Sequence, residues 1–213
     1  MAVTYLLTDG VNDDAILTTK LTIPSGEDFT FRFIWSFTVE DQGYQIGEAG
    51  TFSNAVSLRH TTSTVSRVIF SGAFSVLTHS SPMVINTVYD WELQRVGGVV
   101  DLVDTASQVS LLTGTIVNDN AFLFDEFFKW ANASNHFAGK TRLIQLTSTT
   151  NNARWSADDS DTSAGAQPIL TDTIGTNNAT GSGFPTDGSA WEVEGGGGIS
   201  LTANYYNNLM AGN

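Results

Sequence analysis

The sequence predicts an all-β fold, a β-sandwich of two packed antiparallel sheets, and three observations carry that expectation. Between residues 29 and 37 the chain reads FTFRFIWSF, which places Phe29, Phe31, Phe33, Trp35 and Phe37 at every second position. Side chains alternate between faces in an extended strand, so these five aromatics share one face while Thr30, Arg32, Ile34 and Ser36 share the other. Each ring buries roughly 150–250 Å², and five on one strand require a facing apolar layer about 10 Å away, most simply a second sheet. The second observation is compositional. Charged residues make up 15% of the chain, well below the roughly 25% of typical domains, and Ser, Thr, Asn and Gly fill the vacancy, as in many short strands joined by turns. The third is the scarcity of helical pattern, since only residues 120–133 gather enough Ala, Phe, Leu and Glu for a turn or two of connecting helix.

Alternation and turn residues predict strands near 4–7, 15–23, 29–39, 44–47, 55–61, 66–70, 73–77, 83–95, 99–103, 109–112, 122–124 and 140–147. The separators have turn chemistry: Asp9-Gly10, Pro24-Ser25-Gly26, Gln42-Gly43, Ser71-Gly72 and Ser80-Ser81-Pro82. Gly97-Gly98, flanked by ELQRV and VVDLVD, has the spacing of a two-residue hairpin loop. Phe122, Phe124, Phe127, Phe128 and Trp130 form a run too apolar for free solvent, which either the sandwich or a subunit interface must bury.

After Thr150 short apolar islands stand in a matrix of Gly, Asn, Asp and Ser. Trp155, Ile169, Leu170, Phe184, Trp191 and Val193 are spaced as anchors, so residues 150–194 are expected to wrap irregularly and return one or two strands. The sandwich is therefore expected over residues 1–194. Gly195–Gly198 then act as a hinge for a C-terminal arm, 195–213, available to a neighbouring copy.

The 213 residues carry 22 acids against nine Lys and Arg, a net charge of −13. Such a field repels phosphate backbones and anionic membranes, so nucleic acid is not an expected partner. No apolar run approaches the ~18 residues of a membrane helix, and no membrane insertion is expected. The N-terminal MAVTYLLTDG lacks the basic region of a signal peptide. With no cysteine in the chain, disulfides, thiolate metal sites and cysteine nucleophiles are excluded.

The order DGVNDDAIL, DFTFRFIWSF, NAVSLRH, the Gly97-Gly98 hairpin and HFAGKTRLIQL resembles the laminin G-like and concanavalin A-like group over most of residues 5–193. Phe137, Gly139, Leu143 and Ile144 are similar to that group's Phe-x-Gly strand, with the register one residue off. The stretch from Trp155 through Pro168-Ile169-Leu170-Thr171-Asp172-Thr173, Asn177-Asn178-Ala179-Thr180 and Phe184 to Trp191 resembles the tail of such domains in bacteriophage virion proteins. The resemblance implies a jelly roll, and with the tail it implies a virion protein assembled in a host cytoplasm.

No catalytic residue is expected. Glucanases of this fold use carboxylates spaced i and i+4 on one strand, with the pair about 5.5 Å apart for retention or 6.5–9.5 Å for inversion. That run is missing. Asp125 and Glu126 are neighbours that an extended strand would point to opposite faces, and Glu192 and Glu194 read as solvated surface acids. His60, His79 and His136 read as surface residues at turns or strand ends, with no nucleophile motif beside them.

Calcium takes six to eight oxygen ligands, and two acidic loops offer such donors, Asp9, Asn12, Asp13 and Asp14 first and Asp158, Asp159 and Asp161 second. Beyond that no cofactor is expected. Aromatic platforms for a sugar, or interface aromatics, are sought at Tyr44, Trp91, Trp130, Tyr205 and Tyr206; Trp91 alternates with Tyr89 and Leu93, which favours a core role for it over a platform. The leading expectation is a non-catalytic virion structural protein, a capsid decoration, head fibre or tail-associated component. It would contact other virion proteins as a homo-oligomer or as lattice copies. The alternative is a carbohydrate-binding or host-receptor adhesion module that binds host surface glycan, and a glycoside hydrolase ranks last.

Overall fold

The computed structural model describes residues 2–38, 43–59, 65–129 and 136–194, without the side chains of 43–45 and 59. The expected arm lies outside the described residues. Sixteen strands follow one another: β1 (Val3–Asp9), β2 (Asp14–Ile23), β3 (Phe29–Phe37), β4 (Gly43–Gly47), β5 (Ala55–Arg59), β6 (Val65–Phe70), β7 (Ala73–Thr78) and β8 (Tyr89–Val96) come first. Then come β9 (Val99–Asp104), β10 (Ile116–Val117), β11 (Phe122–Phe127), β12 (Ala138–Ser148), β13 (Asn152–Ser156), β14 (Ile169–Asp172), β15 (Ala179–Ser182) and β16 (Trp191–Glu194).

They form two antiparallel sheets, a jelly-roll sandwich. One runs β10-β9-β8-β3-β12, and the far edge of β12 is shared by β13 and by β1, which carries β16. The other runs β15-β2-β11-β4-β5-β6-β7, and β14 joins the sheets by pairing with β13 on one side and β15 on the other. Between them lies the core that the β3 alternation demands: Phe31, Phe33, Trp35 and Phe37 have no exposed surface. Rings meet across the two layers, Phe31 edge-on to Phe124 at 5.2 Å and Phe29 to Phe70 at 6.0 Å. Such pairs add about 0.5–1.5 kcal/mol beyond area burial.

Several expectations need correction. The helix expected over 120–133 does not form within residues 120–129, its described part, because Phe122, Phe124 and Phe127 are the inward side chains of β11, and with Phe128 they are fully buried by the sandwich itself. No subunit interface is required for them. The strand expected over 83–95 begins only at Tyr89, and residues 80–88 form a strap between the sheets. Residues 109–112 contribute isolated bridges, Val103 with Ser110 and His79 with Leu112, in place of a strand. The tail returns four strands, β13 to β16, where one or two were expected.

Two features locate local sequence signals. Gly97 and Gly98 both take positive φ, 56° and 79°, in the two-residue turn that sets Val96 opposite Val99. In β12 the pairing with β3 shifts register between Thr141 and Leu143. This bulge at Arg142 accounts for the one-residue offset of Leu143 and Ile144 from the Phe-x-Gly pattern.

Candidate functional site

A cleft of about 200 Å³ opens where the 80–88 strap passes from β7 to β8. Its apolar lining comes from Pro82, Met83, Tyr89, Trp91 and Leu111, and its polar lining from His79, Ser80, Ser81 and Asp104. β8 supplies the aromatics, since Tyr89 and Trp91 lie two residues apart on one face with ring centroids 4.5 Å apart. Trp91 is 6% exposed and packs on Trp35 at 6.0 Å, so it is rooted in the core while bordering the cleft. Tyr89 is half-buried, and its hydroxyl accepts the Val84 amide at 2.5 Å and donates to the Val84 carbonyl at 3.2 Å.

His79 lies on the opposite wall. It is 4% exposed, shares a 2.6 Å hydrogen bond between Nε2 and the Ser66 hydroxyl, and lies 6.0 Å from the Trp91 ring. Burial pushes its pKa down to about 4, so the imidazole is neutral at physiological pH. Asp104, at the end of β9, accepts the Ser107 amide at 2.9 Å and the Ser107 hydroxyl at 2.8 Å on Oδ1. These bonds hold its carboxyl below the usual range and ionised. The Ala106 amide acts in the same direction, and the carboxylate's remaining lone pairs can accept an incoming hydroxyl.

Of these residues the sequence offered only Trp91 as a platform candidate, with a core role preferred, and it proves to be both buried and a border of the cleft. The reading of His79 as a surface histidine is corrected, because it is buried by its serine and tryptophan partners, and so is His136, whose Nδ1 lies 3.0 Å from the Asp13 carbonyl. His60 lies outside the described residues. Trp130, Tyr205 and Tyr206 also lie outside them, and Tyr44 pairs in register with Leu58 without its side chain being described.

The acidic loop after β1 turns its donors to different tasks. Asp9 Oδ1 accepts the Val11 amide at 2.7 Å, while Asp13 is fully buried and accepts the Asp9 amide at 2.7 Å. Asp14 lies 3.5 Å from Lys129 Nζ, and no side-chain bond of Asn12 gathers the set. In the second loop Asp158 holds Arg142 at 2.7 Å and Asp159 holds Arg154 at 2.6 Å. Among the described residues no group of three or more His, Asp or Glu is arranged to hold a metal ion.

Asp125 and Glu126 do not point to opposite faces. A bulge separates the paired residues Phe124 and Glu126, and Phe124 and Phe127 both face the core, so the two acids between them share the outer side. Lys20 meets Asp125 at 3.5 Å and Glu48 at 2.8 Å, while Lys129 meets Glu126 and Asp14 at 3.5 Å each. Glu192 is likewise not simply solvated, since its side chain is 12% exposed and pairs with Lys140 at 2.7 Å.

No protein-family model matches the chain, and no curated protein matches it in sequence. Solved structures do match in shape. A Bacteroides ovatus protein described as carbohydrate-binding aligns over 82% of this chain and 59% of its own length, with a TM-score of 0.52 at 11% identity. A native heptameric SAP-like pentraxin from Limulus polyphemus covers 68% of this chain and 75% of its own, with a TM-score of 0.48 at 9% identity. A carbohydrate-binding module from Bacillus subtilis covers 69% and 83%, with a TM-score of 0.39 at 12% identity. The fold is that of the concanavalin A-like jelly rolls.

Proposed function

We propose that the protein is a non-catalytic carbohydrate-binding jelly roll whose ligand site is the cleft under the 80–88 strap. The observation that carries this reading is the meeting of aromatic rings, Tyr89 and Trp91, with the ionised carboxylate of Asp104 and the hydroxyls of Ser80 and Ser81 in one lining. A sugar presents apolar C–H faces and a rim of hydroxyls, so it needs this mixture of stacking surface and convergent acceptors. The shared fold with the Bacteroides ovatus protein supports the reading. A structural place in a virion rests on the resemblance of residues 155–191 alone.

A glycan array followed by isothermal titration tests the proposal. Saturable binding is expected, and Asp104→Asn is expected to weaken it by roughly 10- to 100-fold, the worth of a hydrogen bond to a charged acceptor. Oδ1 of the asparagine still accepts from Ser107, so the fold is retained and circular dichroism checks it. An array without any bound glycan, or Asp104→Asn binding as the parent does, overturns the assignment.

A further inference from the structure

We infer, resting on the reading above, that the cleft admits a single neutral sugar ring at the end of a glycan and not an internal stretch of chain. Size sets the first limit. Sites that enclose drug-sized ligands measure roughly 300–1,000 Å³, and about 200 Å³ leaves room for one ring.

Closure sets the second. A polysaccharide that passes through a site needs a groove open at both ends, and this one is tied at both. At one end the Tyr89 hydroxyl holds Val84 through both of its backbone groups, at 2.5 and 3.2 Å, and pins the strap to β8. At the other, the Ser80 amide donates to the Leu111 carbonyl at 2.8 Å, while the Leu111 amide donates to the Leu102 carbonyl at 2.8 Å. Leu111 thereby links the strap to β9. The Thr113 amide adds a 2.8 Å bond to Thr78 just beyond it. The exposed residues of the lining are Ser80, Ser81 and Pro82, and a ring that enters past them end-on leaves the rest of its chain in solvent.

Charge sets the third. Besides the Tyr89 phenol, the ionisable groups of the lining are His79, neutral above its lowered pKa, and Asp104, ionised. No lining residue is cationic, and the whole chain carries −13. A carboxylated or sulfated sugar would meet repulsion without a partner, whereas the Asp104 carboxylate accepts from the hydroxyls of a neutral one.

Titration calorimetry with the full chain separates the outcomes. The probes are methyl glycosides of glucose, galactose and mannose, then the matching di-, tri- and tetrasaccharides, and glucuronic acid. Affinity for the preferred sugar is expected to change by less than about threefold from one ring to four. Glucuronic acid is expected not to bind, and Ser81→Trp, at an exposed position of the lining, is expected to abolish binding while the thermal midpoint is retained. Affinity that climbs tenfold or more with chain length, equal binding of the acid, or Ser81→Trp that folds and binds as the parent does overturns the single-ring inference and leaves sugar binding standing. Failure of every sugar to bind overturns the proposed function and this inference together.

Discussion

Arg95 is a charged side chain with no exposed surface, and the sandwich is assembled around it. Its Nε donates to the Glu27 carbonyl at 2.9 Å, Nη2 to the Pro24 carbonyl at 2.8 Å and Nη1 to the Asn120 carbonyl. The guanidinium also lies 5.1 Å from the Phe29 ring centre and 5.8 Å from that of Phe70. One planar group therefore fixes the β2–β3 turn and the approach to β11 against β8, a geometry that only the arginine fork supplies. Burial lowers its pKa, yet it stays protonated, because an arginine titrates far above neutrality. Arg95→Met retains the stem but removes all three charge-assisted hydrogen bonds, and of the three carbonyls that of Pro24 keeps the Glu27 amide at 3.3 Å. The expected cost is about 3 kcal/mol, read as a lowered denaturant midpoint at unchanged slope. Arg95→Met with the parent's midpoint would show that water replaces the guanidinium at no cost.

Among the elements, β12 shows why glycine stands two residues after Phe137. A Cβ on Gly139 would fall 2.1 Å from the Ser36 carbonyl oxygen of β3 and 2.5 Å from the Phe137 ring. Neither can retreat, since Ser36 pairs with Lys140 in the sheet and Phe137 packs on Trp35 and Phe37. Gly139→Ala is expected to destabilise by about 3 kcal/mol by thermal melting, the upper range for an overpacked core; a melting point within a degree of the parent would contradict it. The tail strands depend on a different device. Burial alone would raise the pKa of Asp172, but the amides of Gly175, Arg154, Asn177 and Ile174 all donate to its carboxylate and lower it instead. That carboxylate organises the chain between β14 and β15.

What the sequence disclosed follows from these elements. β3 and the 97–98 hairpin were legible because alternation and paired glycines act within ten residues. The first half of β11 was legible as the strand near 122–124, but its second half was hidden, because the bulge after Phe124 breaks the period of two and lets Phe127 and Phe128 mimic a helical run. The tail was legible only as one or two returning strands because β15 and β16 take their hydrogen bonds from β2 and β1, more than a hundred residues away in sequence, while β14 is held between β13 and β15. The cleft was hidden in part: Tyr89 and Trp91 were visible as an alternating pair and Asp104 lies opposite Trp91 across the 97–98 hairpin, but His79 reaches them only from the far side of the strap, where it bridges to Leu112. The Ser80-Ser81-Pro82 turn beside an aromatic strand was the available signal.

For the whole molecule, buried acids set how stability responds to pH. Burial, with repulsion from Asp14 and Asp125, raises Glu126 from its usual 4.5 to about 7 despite the attraction of Lys129. Burial, joined by repulsion from Asp9, raises Asp13 in the same direction. A carboxyl that keeps its proton longer in the folded state than in the unfolded one favours folding at low pH. Between about pH 4.5 and 7 the native state binds more protons, so stability declines across that interval and levels off above it. The loss attributable to Glu126 is roughly 3 kcal/mol, since every tenfold change in proton affinity between the folded and unfolded states is worth about 1.4 kcal/mol. His79, lowered to about 4, binds its proton more readily in the unfolded state and offsets part of this gain between about pH 4 and 6.5, leaving the two raised acids ahead; acids held below their usual range, Asp172 among them, limit the gain below pH 4. Urea unfolding at pH 5 and pH 8 is therefore expected to give the higher midpoint at pH 5. Glu126→Gln, whose amide carries no charge to desolvate, is expected to match the parent near pH 5 and exceed it at pH 8. A parent midpoint that rises from pH 5 to pH 8, or a Glu126→Gln variant that loses stability equally at both, would place the ionised carboxylate and Lys129 in a net stabilising pair and reverse the sign.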